Sequence, residues 1–362
     1  MAVVDKNWYW EKLHKVPNGV HVFGRRNRPF GPDNFPAELE KLDELVLIRD
    51  RAVWAAAKGE KFDVAAADAK TRVLPPVKTN YSSSNTKNGS TIYLPGAEAV
   101  KTLAVPEGYK VELFASEEQF PDLANPVKLS FDNRGRLWVA TMPSYPQWRP
   151  GDAKPDDKIL ILEDTNGDGK ADKALRFAEG LTMPMGFEFA PAEVGGGIYV
   201  LESTQLVHLP DRNHDDRADS RAVLLSGFGT GDTHQNANSL RWGPDGSLWF
   251  TQGYHIWSYV ETPYGLAELN RSGIWRFNPR TLRLDSFLNE SAAGLNCWGT
   301  AWDDQGQMFH GSGADTPIWH STPGLIPTLH PKALPTALAH SRGKSMEPEI
   351  LGSSHLPEEL RG

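Results

Sequence analysis

Two acidic loops offer the first chemistry in this chain. Asp164-Thr-Asn166-Gly-Asp168-Gly-Lys-Ala-Asp172 reappears, 47 residues later, as Asp211-Arg-Asn213-His-Asp215-Asp216-Arg-Ala-Asp219. Oxygen-bearing side chains at every second position of a tight loop can converge on one hard cation, and calcium is the usual guest. The carbonyl of Lys170 or Arg217 would add a further ligand. Two departures from a calcium loop stand out. Leu175 and Ala222 occupy the place of the terminal bidentate Glu, and Asp216 stands where glycine belongs. The same residues also make polar hairpin turns that need no metal. An ion held here is expected to be structural, because each loop joins successive strands.

A second candidate is Gly231-Asp232-Thr233-His234-Gln-Asn236. A neutral imidazole before a strand can take the proton of a substrate hydroxyl, and a carboxylate such as Asp232 can orient it. The plainer reading is a hydrogen-bonding histidine in a polar loop, one of 11 in the chain. His255, His310, His320 and His330 lack metal-ligand spacing such as His-x-x-x-His and stay unassigned. Cys297 is the only cysteine, so no internal disulfide can form. It reads as a small buried residue. The sequence holds no phosphate-binding Walker loop, no dinucleotide glycine fingerprint and no Gly-x-Ser-x-Gly nucleophile.

The elements that must position these residues are short strands. From Pro106 onward, apolar runs alternate with turns, the first set being 109–115, 128–132, 137–141 and 158–163. A hairpin signature recurs: a strand, an acidic or glycine turn, then Gly-x-[Leu/Met]-[Trp/Phe]. Its glycines are Gly135, Gly246 and Gly306, with a looser copy at Gly197. The steps of 62, 49 and 60 residues between successive copies fit four-stranded blades with insertions. The fold class is therefore mainly β, a β-propeller of about four blades over 105–362. The text beyond the fourth blade reads as mid-blade, so the ring is expected to be incomplete in this chain. Before it, Pro36–Lys58 reads as one amphipathic helix, with Leu39, Leu42, Leu45 and Ile48 on one face and Gly59 as its C-cap. Residues 74–104 read as a Pro/Ser/Asn-rich linker.

Composition narrows the function. A chain of 362 residues, 39% hydrophobic and 23% charged, can bury a core. A net charge of −8 without a basic block disfavours nucleic acid. No stretch reaches the roughly 20 apolar residues of a membrane helix. The first residues show no signal peptide pattern.

Several stretches resemble a known family: Lys158–Asp172, Gly227–Gly246, Val260–Gly265 and Gly273–Thr281. They resemble the membrane-bound dehydrogenase proteins of planctomycetes and verrucomicrobia, themselves similar to glucose/sorbosone dehydrogenase propellers of six-bladed type. The resemblance implies a sugar or polyol substrate, pyrroloquinoline quinone (PQQ) with calcium as cofactors, and His234 as the base. It also implies a cofactor contact from the motif Arg-Asn-Pro-x-Gly. Here that text is Leu295-Asn296-Cys-Trp-Gly299, so Asn296 matches but Leu295 replaces the arginine. A guanidinium suits an anionic quinone, and leucine cannot replace it. Residues 1–73 resemble the C-terminal tail of GDSL-type (SGNH) hydrolases, on Lys6-Asn-Trp-Tyr-Trp10 and Phe23-Gly-Arg-Arg26, without the nucleophile. Longer relatives add a c-type haem domain as electron acceptor and belong to the periplasm or cell envelope. The rival expectation is a non-catalytic, calcium-stabilised propeller that binds carbohydrate or protein partners.

Overall fold

The recurring glycines mark a physical device. Gly135, Gly197, Gly246 and Gly306 have φ between +71° and +77°, which glycine adopts without a Cβ penalty. Each closes a turn between the first two strands of a sheet. In three of these turns an aspartate caps the loop amides: Asp132 serves Arg134 and Arg136, Asp245 serves Ser247, and Asp303 serves Gln305 and Gln307. The indole N–H of Trp138 or Trp249, on the next strand, donates to the same carboxylate at 3.0 Å. Acid, glycine and tryptophan thus belong to one hydrogen-bonded unit.

The computed structural model describes residues 2–14, 35–75, 94–145, 148–289, 296–313, 318–321, 336–338, 346–354 and 357–361. Among them, four four-stranded antiparallel sheets follow one another along the chain. The first holds β1 (Pro126–Phe131), β2 (Leu137–Thr141), β3 (Asp157–Glu163) and β4 (Lys173–Leu181). The second holds β5 (Pro184–Phe189), β6 (Ile198–Glu202), β7 (Gln205–Leu209) and β8 (Ala222–Ser226). The third holds β9 (Asn238–Trp242) and β10 (Leu248–Gln252), then an inserted hairpin of β11 (Trp257–Thr262) and β12 (Gly265–Asn270), then β13 (Gly273–Asn278) and β14 (Arg283–Leu288). The fourth holds β15 (Cys297–Trp302), β16 (Met308–Ser312), β17 (Ile318–His320) and β18 (Thr336–Leu338). Strands of each sheet pair in chain order, and the leading strands β1, β5, β9 and β15 pack in succession. This is a β-propeller arrangement with four blades.

Apolar residues at alternate strand positions fill the junctions. Trp138, Ile159 and Ile161 meet Phe187, Ile198 and Val200 between blades one and two. Tyr199, Leu201 and Leu206 meet Leu240, Phe250 and Trp275 between blades two and three. Up-and-down strands give the molecule two faces. The turn face carries the β1–β2, β3–β4, β5–β6 and β7–β8 turns and their counterparts. The opposite face carries the segments that lead into each new blade.

Among the described residues, four α-helices precede the blades: α1 (Ala2–His14), α2 (Phe35–Ala57), α3 (Val64–Asp68) and α4 (Gly96–Lys101). The expected helix is α2, with Leu42, Leu45 and Ile48 buried and Gly59 at φ +74° after its last turn. Helix α1 has no counterpart in the sequence reading. Tyr9 of α1 and Leu42, Leu45 and Val46 of α2 form a core with Trp148 from the β2–β3 connection. Trp148 meets Trp8 edge-on at 4.8 Å. Lys154 pairs with Asp5, Arg149 with Glu38, and the Thr204 hydroxyl with Glu11. Helices α1 and α2 therefore sit on blades one and two, on the face opposite the turns. Most of the expected linker, 76–93, lies outside the described residues.

One expected strand is absent. Residues 109–115 form no strand, although Tyr109, Val111 and Leu113 alternate as a strand would. Tyr109 and Val111 are exposed, and no neighbouring strand among the described residues offers them a ladder. Val127, Leu129 and Phe131 on β1 are also exposed, whereas β5, β9 and β15 are largely buried. Among the described residues no helix is long and apolar enough to cross a membrane.

Candidate active site

Asp232 and His234 lie on the segment between β8 and β9, on the face away from the turns. The Gly227-Phe-Gly-Thr-Gly231 run puts them there. A Cβ on Gly227, Gly229 or Gly231 would stand 2.1, 2.2 or 1.9 Å from the carbonyl oxygen of Tyr259, Trp257 or His255. Only glycine at alternate positions lets this segment lie flush along β11. The Tyr259 amide donates to the Gly227 carbonyl at 2.9 Å, and the Gly229 amide donates to Ser258 Oγ at 2.9 Å. Thr204 O accepts from the Gly227 and Phe228 amides at 3.0 and 3.2 Å. The Phe228 side chain is fully buried, edge-on to Phe250 and Trp275.

The chain then turns once, as a 3-10 helix over Thr233–Gln235. Gln235 anchors the turn: its Oε1 accepts from the His255 amide at 3.1 Å and its carbonyl from the Gly253 amide at 2.9 Å. Within this frame His234 Nδ1 lies 2.6 Å from Asp232 Oδ1. The carboxylate is 9% exposed and the imidazole 37%. A buried carboxylate accepts here, so Nδ1 carries the proton and Nε2 is left as the basic atom. This tautomer is assigned from the contact. The structure thus brings together the two residues proposed from sequence.

Asn296 lies near them on the bridge to Gly253 that precedes β15. Its Oδ1 and the Gln235 Cβ lie 2.5 and 2.6 Å from the point where a Cβ on Gly253 would stand. Its amide nitrogen is 3.1 Å from the same point on Gly313. Two glycines therefore keep a slot clear for the Asn296 amide. Among the described residues its buried Oδ1 has no hydrogen-bond partner, and neither amide atom of Asn236 has one, although Asn236 is 1% exposed. Such orphaned groups each cost about 1–3 kcal/mol and commonly mark a place for a ligand or an ordered water. Nearby, Met142, Met183 and Met185 pack with Tyr145 and Trp298. Sequence reading missed Asn236 and this apolar cluster; neither carries a motif.

The acidic loops lie elsewhere, on the turn face. Their side chains serve their own backbone. Asp164 accepts from the Gly169, Gly167 and Asp168 amides at 2.8, 2.7 and 3.2 Å, which hold its carboxyl below the usual range, the Gly169 bond most of all. Asn166 accepts from Asp168, Asp168 from Lys170, and Asp172 from Thr165. The second loop repeats the scheme with Asp211, Asn213, Asp215 and Asp219. Among the described residues no three His, Cys, Asp or Glu side chains group as a metal shell. The expected calcium ligands Asp164, Asn166, Asp168, Asp172, Asp211, Asn213, Asp215 and Asp219 are thus arranged as locked turns. The oxygens suit calcium by type, but they face amides. Asp216, the departure from glycine, has a separate task. It takes both Arg136 guanidinium nitrogens at 2.8 Å, and Arg136 also binds Asp132 and Glu163. One arginine ties blade one to the second loop.

The remaining candidates are structural. Cys297 is fully buried, and burial pushes its thiol well above its usual range. His310 is buried, with Nδ1 2.6 Å from Ser321 Oγ and its ring stacked on Trp319. His320 stacks on Phe309. Leu295 and His330 lie outside the described residues.

A family model described as "Domain of unknown function (DUF7133)" matches residues 95–346. No curated protein matches the chain. Among solved structures, the chain is similar to the PQQ-bound aldose sugar dehydrogenase of Streptomyces coelicolor, at 17% identity and a TM-score of 0.37 over 55% of this chain and 59% of that one. It is similar to the pyranose dehydrogenase PQQ domain of Coprinopsis cinerea, at 11% identity and a TM-score of 0.36 over 52% and 44%. It is also similar to virginiamycin B lyase of Staphylococcus aureus, at 11% identity and a TM-score of 0.33 over 60% and 86%. The chain thus spans less than two thirds of either dehydrogenase structure.

Proposed function

The chain belongs to the DUF7133 family, and we propose that its His234 face oxidises a hydroxyl of a sugar or polyol. The observation that carries this reading is the 2.6 Å contact between His234 and the buried Asp232. Asp232 fixes the ring and favours the imidazolium that forms when Nε2 takes the hydroxyl proton. Loss of that proton from the hydroxyl oxygen, with hydride leaving the carbon that bears it, turns the alcohol into a carbonyl. Asn236 and Asn296 present amide atoms that would receive the other hydroxyls of a polyol. PQQ, when bound, supplies the two-electron acceptor, and Asn296 is the residue that would meet it. Calcium held at the acidic loops, on the other face, would be structural rather than catalytic.

The same proposal takes the chain as part of an envelope protein whose haem domain accepts the electrons. It also takes the helical segment as derived from a GDSL-type hydrolase tail, and the ring as one completed to six blades. The exposed β1 stripe of Val127, Leu129 and Phe131 supports further sheets. The alternative is a propeller that binds carbohydrate or protein partners without turnover. Leucine at position 295 favours it, because the motif then lacks the guanidinium that suits an anionic quinone. Fold does not decide between them.

The test is a PQQ titration by calorimetry, with and without His234→Ala, followed by sugar-dependent dye reduction. Saturable binding by both proteins is expected, with turnover falling about 10²-fold or more in the variant. Absence of PQQ binding by folded protein would select the binding module.

A further inference from the structure

We infer that Gln252 is the positioning residue for the His234–Asp232 pair, acting through the β11–β12 hairpin without touching the ligand. The inference rests on the reading of His234 as the base and adds the element that aims it. Gln252 ends β10 and is fully buried. Its Nε2 donates to the Leu269 and Arg271 carbonyls at 2.9 and 2.7 Å. Its Oε1 accepts from Ser258 Oγ at 2.8 Å and from Trp275 Nε1 at 2.9 Å. The indole N–H can only donate, so the amide orientation is fixed by its partners.

Those four bonds span three elements. Ser258 is on β11, Leu269 and Arg271 are at the end of β12, and Trp275 is on β13. One side chain therefore fastens the inserted hairpin to the third sheet. Ser258 passes the constraint onward: its hydroxyl donates to Gln252 and accepts the Gly229 amide at 2.9 Å. Gly229 is the middle glycine of the segment that lies on β11 with no room for a Cβ. Three residues later comes Asp232, and His234 follows. A buried carboxamide costs free energy unless all its bonds are made. An apolar side chain of the same size would fill the space but would leave the hairpin, and the segment resting on it, free to slide.

The experiment compares Gln252→Met, which keeps the volume and removes all four bonds, with Ser258→Ala, which removes only the relay to Gly229. Both are made in the full chain. Hydrogen exchange is followed for the amides of 227–234 and, as a control, for β13 and β14. Turnover is split into kcat and KM by dye reduction with sugars. In Ser258→Ala the 227–234 amides should exchange about ten-fold faster or more while β13 and β14 keep their protection. In the same variant kcat should fall with KM little changed. Gln252→Met should show both effects more strongly. If Gln252→Met does not fold, Ser258→Ala alone decides. Unchanged exchange over 227–234 in Ser258→Ala overturns the inference whatever turnover does. Faster exchange in a protein whose parent has no turnover upholds Gln252 as the anchor of the segment and removes the reading of His234 as a base.

Discussion

The two faces of the propeller treat the same kinds of side chain in opposite ways. On the turn face, Asp, Asn and Gly are closed on themselves: carboxylates cap loop amides, and Arg136 ties three acids from two blades. On the His234 face, polar groups are held in place yet left unmet: among the described residues, buried amide atoms of Asn236 and Asn296 have no partner. Satisfied polar networks rigidify a fold, and unsatisfied ones mark where something else is to be bound. On the reading proposed above, the more eye-catching motif is structural and the quieter Asp232-Thr-His234 carries the chemistry.

The largest expected disruption of this contrast is Gly231→Ala. A Cβ there would stand 1.9 Å from the His255 carbonyl oxygen, and backbone cannot yield as a flexible side chain would. We expect a loss of about 3 kcal/mol, at the upper end of overpacking costs, read by urea denaturation. A loss below about 0.5 kcal/mol would mean that the segment does not rest on β11.

Next is Arg136→Ala on the turn face. It takes the guanidinium from Asp132 and Asp216 and leaves Glu163 with Lys173 as its cation. A cost of about 1–3 kcal/mol is expected for this partly exposed network, with no effect on ligand binding at the other face. A change in ligand affinity would show that the faces are coupled.

Asp216→Asn sharpens the point through pH. Its hydrogen bonds to Arg136 hold the Asp216 carboxyl below the usual range. A depressed carboxyl stabilises the fold above its unfolded value of about 4. That contribution is lost as pH falls through the lower folded value. The stability gap between parent and Asp216→Asn should therefore be full at pH 6 and shrink as pH falls below the unfolded value of about 4 and through the lower folded value. A gap that does not depend on pH would mean that the ion pair is absent in solution.

The smallest effect concerns calcium. With the loop oxygens already engaged, millimolar calcium should leave the melting temperature unchanged in the parent and in Asp164→Ala with Asp168→Ala. A calcium-dependent rise in the parent, lost in the double variant, would show that the first loop reopens to hold the ion.

Much of the fold was legible because its signals are local. Gly135, Gly246 and Gly306 announce hairpins through a φ that only glycine takes cheaply, and α2 announces itself by helical periodicity and Gly59. Helix α1 was not legible: its apolar partner, Trp148, lies more than a hundred residues away. Residues 109–115 have the pattern of a strand but lack an edge to pair with, and pattern cannot supply one. At the site, Asp232 and His234 were readable as a pair, since both stand in one short segment. Gln252 was not, because a single glutamine at a strand end has no spacing to betray it. The calcium reading of the loops was open for a chemical reason. The oxygens that would bind an ion are the same ones that cap a turn, and only their direction tells which.

On the proposed reading, chemistry belongs to the His234 face and stability to the turn face. The direct measurement is hydroxyl-dependent dye reduction by the parent, His234→Ala and Asp216→Asn, with a melting curve for each. The account predicts that His234→Ala loses turnover about 10²-fold or more at an unchanged melting temperature, while Asp216→Asn melts earlier and turns over normally. Turnover that survives in His234→Ala, or is lost in Asp216→Asn while that protein remains folded, would contradict it.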